Sequence, residues 1–398
     1  MALIPVDVAL EHILKGVERL PAEAVPIDAA RGRVLAENVA AMLTQPPFAA
    51  SAMDGYAVRW DDMPGPWQVI GEAAAGRGFT RSALPGDAVR ISTGAPLPAG
   101  FDTVVIQEDV ARIGAAATLA GEGPPRRGAH VRAAGQDFMR GDVLAAAGDR
   151  LTPPRLGLLA AAGHGILPVV RRPRVTLIAN GDELVAPGIP PGADQIVSAN
   201  PAMLRALFEG IGAQVIDPGI IPDERAAVAT ALTAADADLL ITIGGASVGD
   251  HDLIVPALRD LGAHIDFWKI AMRPGKPMLA GRLGATRIIG LPGNPVSAFV
   301  CALVFAVPLL ARLGGRSEAL PIELLPLATP LPGNETRRDH LRARRTADGA
   351  LAFASQDSAL LGVLAASDLL IVREAGAPAA AAGDIVRCIA LDMFPAVS

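Results

Sequence analysis

The chain has 398 residues, 51% hydrophobic and 19% charged, a balance that excludes a disordered protein and a length too great for a single core. A formal net charge of −6 and a pI near 5.6 argue against nucleic acid as the main partner, because such proteins carry a basic footprint. Cys301 and Cys388 lie far apart without a CxxC, and the six histidines show no ligand spacing, so neither a disulfide framework nor a zinc site is indicated.

The opening MALIPVDVALEHILKG lacks the basic and apolar regions of a signal peptide, and no stretch of about twenty residues is apolar throughout. With reduced cysteines, this predicts a cytosolic protein without a membrane partner. Val6, Leu10, Ile13, Leu14, Val17 and Leu20 form a stripe that predicts an amphipathic helix over 6–20, ended by Pro21. After the loop TQPPFAASAMDGYAV, the texture changes between about Asp54 and Asp137. The short apolar runs WQVIGEA, DAVRIST, DTVVIQEDVARI and AHVRAAGQDF, parted by Gly and Pro, predict a small all-β module. GDVLAAAGDRLTPPRLGLLAAAGHGILPVV returns to mixed helix and is expected to pack on the N-terminal helix, making the β module an insertion.

From Arg174 strands and helices alternate. RVTLIAN, AQVIDPGII, ADLLITIGG, AHIDFWKIAM and TRIIGLPG read as strands. NPAMLRALFEGIG, DERAAVATALTAA, DHDLIVPALRDLG and the long apolar NPVSAFVCALVFAVPLLARLGG read as helices. This pattern predicts a mostly parallel sheet with helices on both faces. After Pro321 short strands return as a terminal β domain. The fold class is therefore α/β and multidomain.

In open α/β sheets a ligand lies beyond the carboxyl ends of the strands. The loops NGDELVAPG, GGASVGDHD, RPGKP and LPGNPVSA all fall at such ends. Gly244, Gly245 and Gly249 let backbone amides approach a phosphate, and Ser247 adds a hydroxyl; the absence of GxxxxGKS excludes a P-loop. Asp182, Glu183, Asp223, Asp250 and Asp252 share this rim. Taken singly each is an ordinary helix cap or turn residue; as a set they suggest Mg²⁺ completed by substrate phosphates. Of 35 basic residues only Lys15, Lys269 and Lys276 are lysines, and two of them flank one short loop. A compact ammonium there, unlike a planar guanidinium, suits an anion held among carboxylates.

SAMDGYAV, STGAPLPAGFDTVV, NGDELV, GGASVG, PGKP and GLPGNPVSA, in that order, resemble the molybdopterin molybdenumtransferase family, the molybdenum insertases related to the gephyrin E domain. The resemblance implies an extended discontinuous helical region (1–45 and 139–170), an inserted β module (46–138), a molybdopterin-binding α/β domain (171–315) and a C-terminal β-barrel-like domain (316–398). It also implies a homodimer with its site shared between subunits, and a Mg²⁺-dependent reaction of adenylylated molybdopterin with molybdate that releases molybdenum cofactor and AMP. Carried over by position, Asp54, Thr93 and Asp137 would be the β module's share of the site. Glu183, Asp223 and Asp252 would be the acidic, metal-holding group, and Lys269, Arg273 and Lys276 would hold anionic groups. Pro292, Asn294 and Pro295 belong to the loop that closes on the ligand. Asn180 stands where the family has a hydroxyl, and Arg273 where some members have lysine. Adenylylation of molybdopterin by ATP, a non-enzymatic scaffold, and tungstate in place of molybdate remain alternatives on these residues.

Overall fold

Side chains alternate between two cores along the strands of the larger unit. Val175, Leu177 and Ala179 are buried in one core and Ile178 in the other; Leu239, Ile241 and Ile243 are set against Leu240 in the same way. That period of two marks a sheet covered on both faces. The computed structural model describes residues 3–244 and 253–392, without the side chains of Phe267 and Trp268. It divides into a larger unit (Met1–Glu23, Gly32–Ala36 and Pro168–Ser398) and a smaller one (Ala24–Arg31 and Glu37–Leu167).

Across the larger unit's main sheet the strands run Gln214–Ile216, Arg174–Asn180, Leu239–Ile243, Thr286–Leu291, Pro277–Leu283 and His264–Lys269, with Ile220–Ile221 also on Arg174–Asn180. The first four are parallel. The segment after RPGKP, to which the sequence pattern gives no element, forms the strand Pro277–Leu283, antiparallel to both its neighbours. Its sequence PMLAGRL is short and poor in β-branched residues, which hid it, and Gly284 and Ala285 close its hairpin with Thr286–Leu291.

Helices Asn200–Gly210 and Pro295–Leu313 pack on one face, Arg225–Ala234 and Ile254–Asp260 on the other. Pro295–Leu313 is long and apolar enough to cross a membrane by length and composition, yet 89% of it is buried as the core helix. A π-turn at Ala302–Ala306 lies just before Pro308, whose missing N–H disturbs the regular ladder.

The N-terminal helix is Val6–Leu14, shorter than its apolar stripe. Val6, Ala9, Ile13 and Leu14 are buried in the same core as Phe208 and Leu303. Cations define its end: Arg312 Nη1 donates to the Leu14 carbonyl at 2.7 Å, and Arg287 Nη2 to those of Lys15 and Gly16 at 3.2 and 3.1 Å. Among the described residues of 1–45 and 139–170 there are two α-helices, this one and Pro153–Ala161, because Pro and Gly interrupt the rest. The C-terminal segment forms a sheet in the order Met272–Arg273, Arg338–Thr346, Leu369–Arg373, Ile385–Ala390 and Ile322–Pro326, with Gly349–Ala352 on Arg338–Thr346.

The smaller unit carries a six-stranded sheet ordered Thr103–Ile106, Gly55–Val58, Asp87–Ile91, Trp67–Ala73, Ala116–Leu119 and Val110–Ile113. Gly55–Val58 was expected as loop, but it is an interior strand buried at all four positions. Gly55 permits this, since a Cβ there would lie 2.0 Å from the Val105 carbonyl oxygen.

Candidate active site

Three parallel strands of the larger unit finish level, with Ala179 beside Ile243 and Ile243 beside Leu291. The residues that follow, Asn180, Gly244 and Pro292, therefore emerge at one edge. The antiparallel pair reaches the same edge: Leu279 lies opposite Gly290, and Lys269 opposite Pro277. Register alone thus gathers loops distant in sequence onto one rim.

At this rim is a cleft of about 470 Å³ lined by Asn180, Glu183, Asn200, Gly244, Pro292 and Asn294, among others including Pro295. One wall is the short parallel pair Leu184–Val185 and Ile196–Val197, where Ile196 is 61% exposed. Such an apolar wall accepts a flat ring, and polar groups around it can fix the ring's orientation. Asn200, which the sequence pattern marked only as a helix start, is 9% exposed. Its Nδ2 donates to the Gly293 carbonyl at 2.7 Å, and its buried Oδ1 has no partner among the described residues. A buried acceptor left unpaired is costly, so a ligand donor fits there. Ser358, also missed, receives the Asn294 Nδ2 at 3.2 Å on its hydroxyl and the Val296 N–H at 3.3 Å on its carbonyl.

The rim acids differ in their engagements. Asp182 and Asp223 lock their loops together: the Asp223 amide donates to Asp182 Oδ1 at 3.1 Å, and the Asp182 amide to Asp223 Oδ2 at 3.4 Å. Asn180 Nδ2 donates to Asp223 Oδ1 at 2.7 Å. Glu183 lines the cleft itself. No group of three or more His, Cys, Asp or Glu side chains is gathered for a metal among the described residues. Gly245, Ser247, Gly249, Asp250 and Asp252 lie outside the described residues.

Lys269 and Lys276 are exposed at this edge, and the Ile270 amide donates to the Lys276 carbonyl at 2.8 Å, closing the loop between them. Neither makes an ion pair among the described residues. Gly275, at φ +101°, sits over Cys301, whose Sγ would be 2.3 Å from any added Cβ. Burial pushes the Cys301 thiol up to about 12, so it acts as packing rather than as a nucleophile. Arg273 behaves differently. Its guanidinium forms a two-point pair with Asp339, Nε to Oδ1 at 2.9 Å and Nη2 to Oδ2, and it lines a separate 450 Å³ pocket with Pro332, Asn334 and Arg373. That pairing raises the Arg273 pKa further above its ordinary value.

In the smaller unit the structure brings Asp54 and Thr93 together. Asp54 Oδ1 accepts the Thr93 amide at 2.7 Å and its hydroxyl at 3.1 Å. Those two donors, backbone first, hold the exposed carboxyl below the usual carboxylate range. Asp137 is elsewhere, in a 360 Å³ cleft with Gln45, Pro46, Arg132 and Gln136.

Residues 4–163 match the description "MoeA N-terminal region (domain I and II)", 176–312 "Probable molybdopterin binding domain", and 325–391 "MoeA C-terminal region (domain IV)". The molybdopterin molybdenumtransferase of Haemophilus influenzae is 38% identical over 312 residues, 76% of this chain and 77% of that one. The protein of the same name from Synechococcus elongatus is 35% identical over 403 residues, covering 97% and 99%. A crystal structure of a molybdopterin biosynthesis MoeA protein from Pyrococcus horikoshii superposes with a TM-score of 0.85 at 28% identity, covering 98% of this chain and 99% of that one.

Proposed function

The chain belongs to the molybdopterin molybdenumtransferase family, and from that premise we propose that it inserts molybdate into adenylylated molybdopterin, releasing molybdenum cofactor and AMP. The observation that carries this reading is the cleft at the carboxyl edge of the sheet, where an apolar wall lies on the same rim as the Asn200 Oδ1 and two lysine side chains, none of which has a hydrogen-bond or ion-pair partner among the described residues.

The chemistry asked of the site is largely electrostatic. Molybdate is a dianion and the substrate carries a pyrophosphate, so mutually repelling charges must be held together. Lys269 and Lys276 offset that repulsion as point charges, and Asn200 Oδ1 accepts from a ring N–H of the pterin. The dithiolene of the substrate supplies the sulfur ligands, which agrees with both cysteines being buried. Glu183 and Asp223, with Asp252 outside the described residues, would hold Mg²⁺. Two carboxylates fit an ion that usually keeps water and phosphate oxygens in its shell. When bound, that ion would neutralise charge on the pyrophosphate. Arg273 is committed to Asp339, which neutralises its charge, so the anion-holding role falls to the two lysines.

The working form in this reading is a cytosolic homodimer, in which the Asp54–Thr93 pair of one copy completes the cleft of the other. A mixing experiment tests it. Asp54→Ala and Lys276→Ala should each be inactive alone. Mixed and re-equilibrated in equal amounts, they should regain about a quarter of the wild-type sites, as expected for random two-fold pairing. Full inactivity of the mixture, with heterodimers demonstrated, would remove the shared site. Loss of pyrophosphate-linked AMP release in the wild type would remove the reaction itself.

A further inference from the structure

The opposite end of the same sheet has its own cavity, about 600 Å³, lined on its polar side by His12, Lys15, His264, Arg282 and Arg287. Ile13, Ala280, Ile289 and Leu309 make its apolar floor, and Asp266 is the one carboxylate in the lining. The strand His264–Lys269 separates the two ends by about 17 Å, from five steps of extended backbone.

Register explains why the cations crowd. His264 lies directly opposite Arg282, and Arg282 directly opposite Arg287, on three neighbouring antiparallel strands. Opposed residues project from the same face, so a histidine and two arginines stand in one row, and the two neighbouring guanidiniums repel each other. Arg287 is held by the carbonyls of Lys15 and Gly16, which fixes one guanidinium and sets Lys15 at the cavity mouth. Asp266 Oδ2 is 3.9 Å from His264 Nδ1 and balances only that side. Lys15 is the third lysine of the chain, the one that the substrate rim does not use.

We propose that this cavity is a second anion site, which takes a phosphoryl group between Arg282, Arg287 and Lys15. Its floor accommodates the organic body of a small phosphomonoester. A tetrahedral oxyanion accepts from several donors at once and removes the repulsion in the row. The site is chemically distinct from the substrate cleft, since arginine and lysine side chains line this cavity directly and not that cleft.

The test is calorimetric titration of the full-length protein with inorganic phosphate and, separately, with phenyl phosphate. Arg282→Ala and Lys15→Ala should each weaken binding about tenfold, the loss of one charge-assisted hydrogen bond. Arg282→Lys should recover most of it, Lys276→Ala should leave it in place, and added salt should reduce it. Tighter binding of phenyl phosphate identifies an organic phosphomonoester as the ligand class, and equal binding identifies free phosphate. Absence of binding to the wild type overturns the proposal. So does binding that survives both Arg282→Ala and Lys15→Ala, or that Lys276→Ala removes. Unchanged thermal midpoints in the two variants separate loss of the site from loss of the fold.

Discussion

One sheet carries two charged ends that are built in opposite ways. At its carboxyl edge the acids are tied into the backbone, as Asp182 and Asp223 are, while Lys269 and Lys276 lack ion-pair partners among the described residues. At its amino edge the cations face one another, and one of them, Arg287, is tied to carbonyls. The lesson is that the net charge of −6 says little about where an anion can bind. What matters is which cations the surrounding structure leaves available. Arginine, with its planar fork, is readily consumed by internal pairs such as Arg273 with Asp339, whereas a lysine at a loop is less readily captured.

The strongest way to break this contrast is to remove the free charge at the carboxyl edge. Lys276→Ala should lower kcat/KM by at least about a hundredfold, or about 2.7 kcal/mol of transition-state stabilisation, measured as AMP released per enzyme. Its thermal midpoint should stay put, because the side chain is exposed. Lys276→Arg should recover only part of the loss. Full activity in Lys276→Arg would mean that charge alone matters and donor geometry does not. Next in size is Asn200→Ala, which removes both the tie to Gly293 and the free Oδ1. It should raise KM about tenfold with kcat nearly kept, if the interaction is made equally in ground and transition states. A loss confined to kcat would reassign Asn200 from binding to the chemical step.

Much of this rim was legible in the sequence because glycine, proline and carboxylate signals cluster at strand ends, and strand ends follow from alternating apolar runs. RVTLIAN, ADLLITIGG and TRIIGLPG each contain the strand they announced. What escaped has physical causes. Pro277–Leu283 has no β-branched residue and Gly55–Val58 only Val58, so the local signal is weak and their place comes from pairing with distant partners. Asn200 looked like a routine start of a helix, and only burial reveals that its Oδ1 is unpaired. The row His264, Arg282, Arg287 could not be read either, since it depends on a hairpin register that the linear pattern does not fix. Arg273 was grouped with the lysines by proximity, and its pairing with Asp339, 66 positions away, could not be inferred from local spacing.

The contrast sharpens when one residue type is followed into the interior. His264 is exposed at the amino edge, but His340 is buried in the C-terminal sheet, and its Nδ1 has no hydrogen-bond partner among the described residues. Burial, aided by the nearby Arg338 charge, pushes His340 down to about 3. A histidine whose folded pKa is depressed binds its proton more readily when unfolded. Its effect is therefore silent above about 6.5 and destabilises the fold as pH falls from there toward 3. Denaturant melts should lose about 1.4 kcal/mol per pH unit across that window from this one group. His340→Gln should flatten the slope, and an unchanged slope would place the acid sensitivity elsewhere.

The smallest effect tests the structural half of the amino edge. Arg287 ties the carbonyls of Lys15 and Gly16 just after the helix Val6–Leu14, where the helix dipole is negative and the last carbonyls lack partners. Arg312, on the Leu14 carbonyl, does part of the same work, so losing Arg287 should loosen this end rather than release the helix. Arg287→Ala should therefore lower stability by about 1 kcal/mol, roughly 2–4 °C in Tm for a unit of this size. Arg287→Lys should restore less than half, because one ammonium on a flexible stem cannot hold two carbonyls with the fixed geometry of a guanidinium. If Arg287→Ala instead raises stability, the repulsion within the cationic row outweighs the cap. The amino edge would then be a strained anion site that the helix end merely borders.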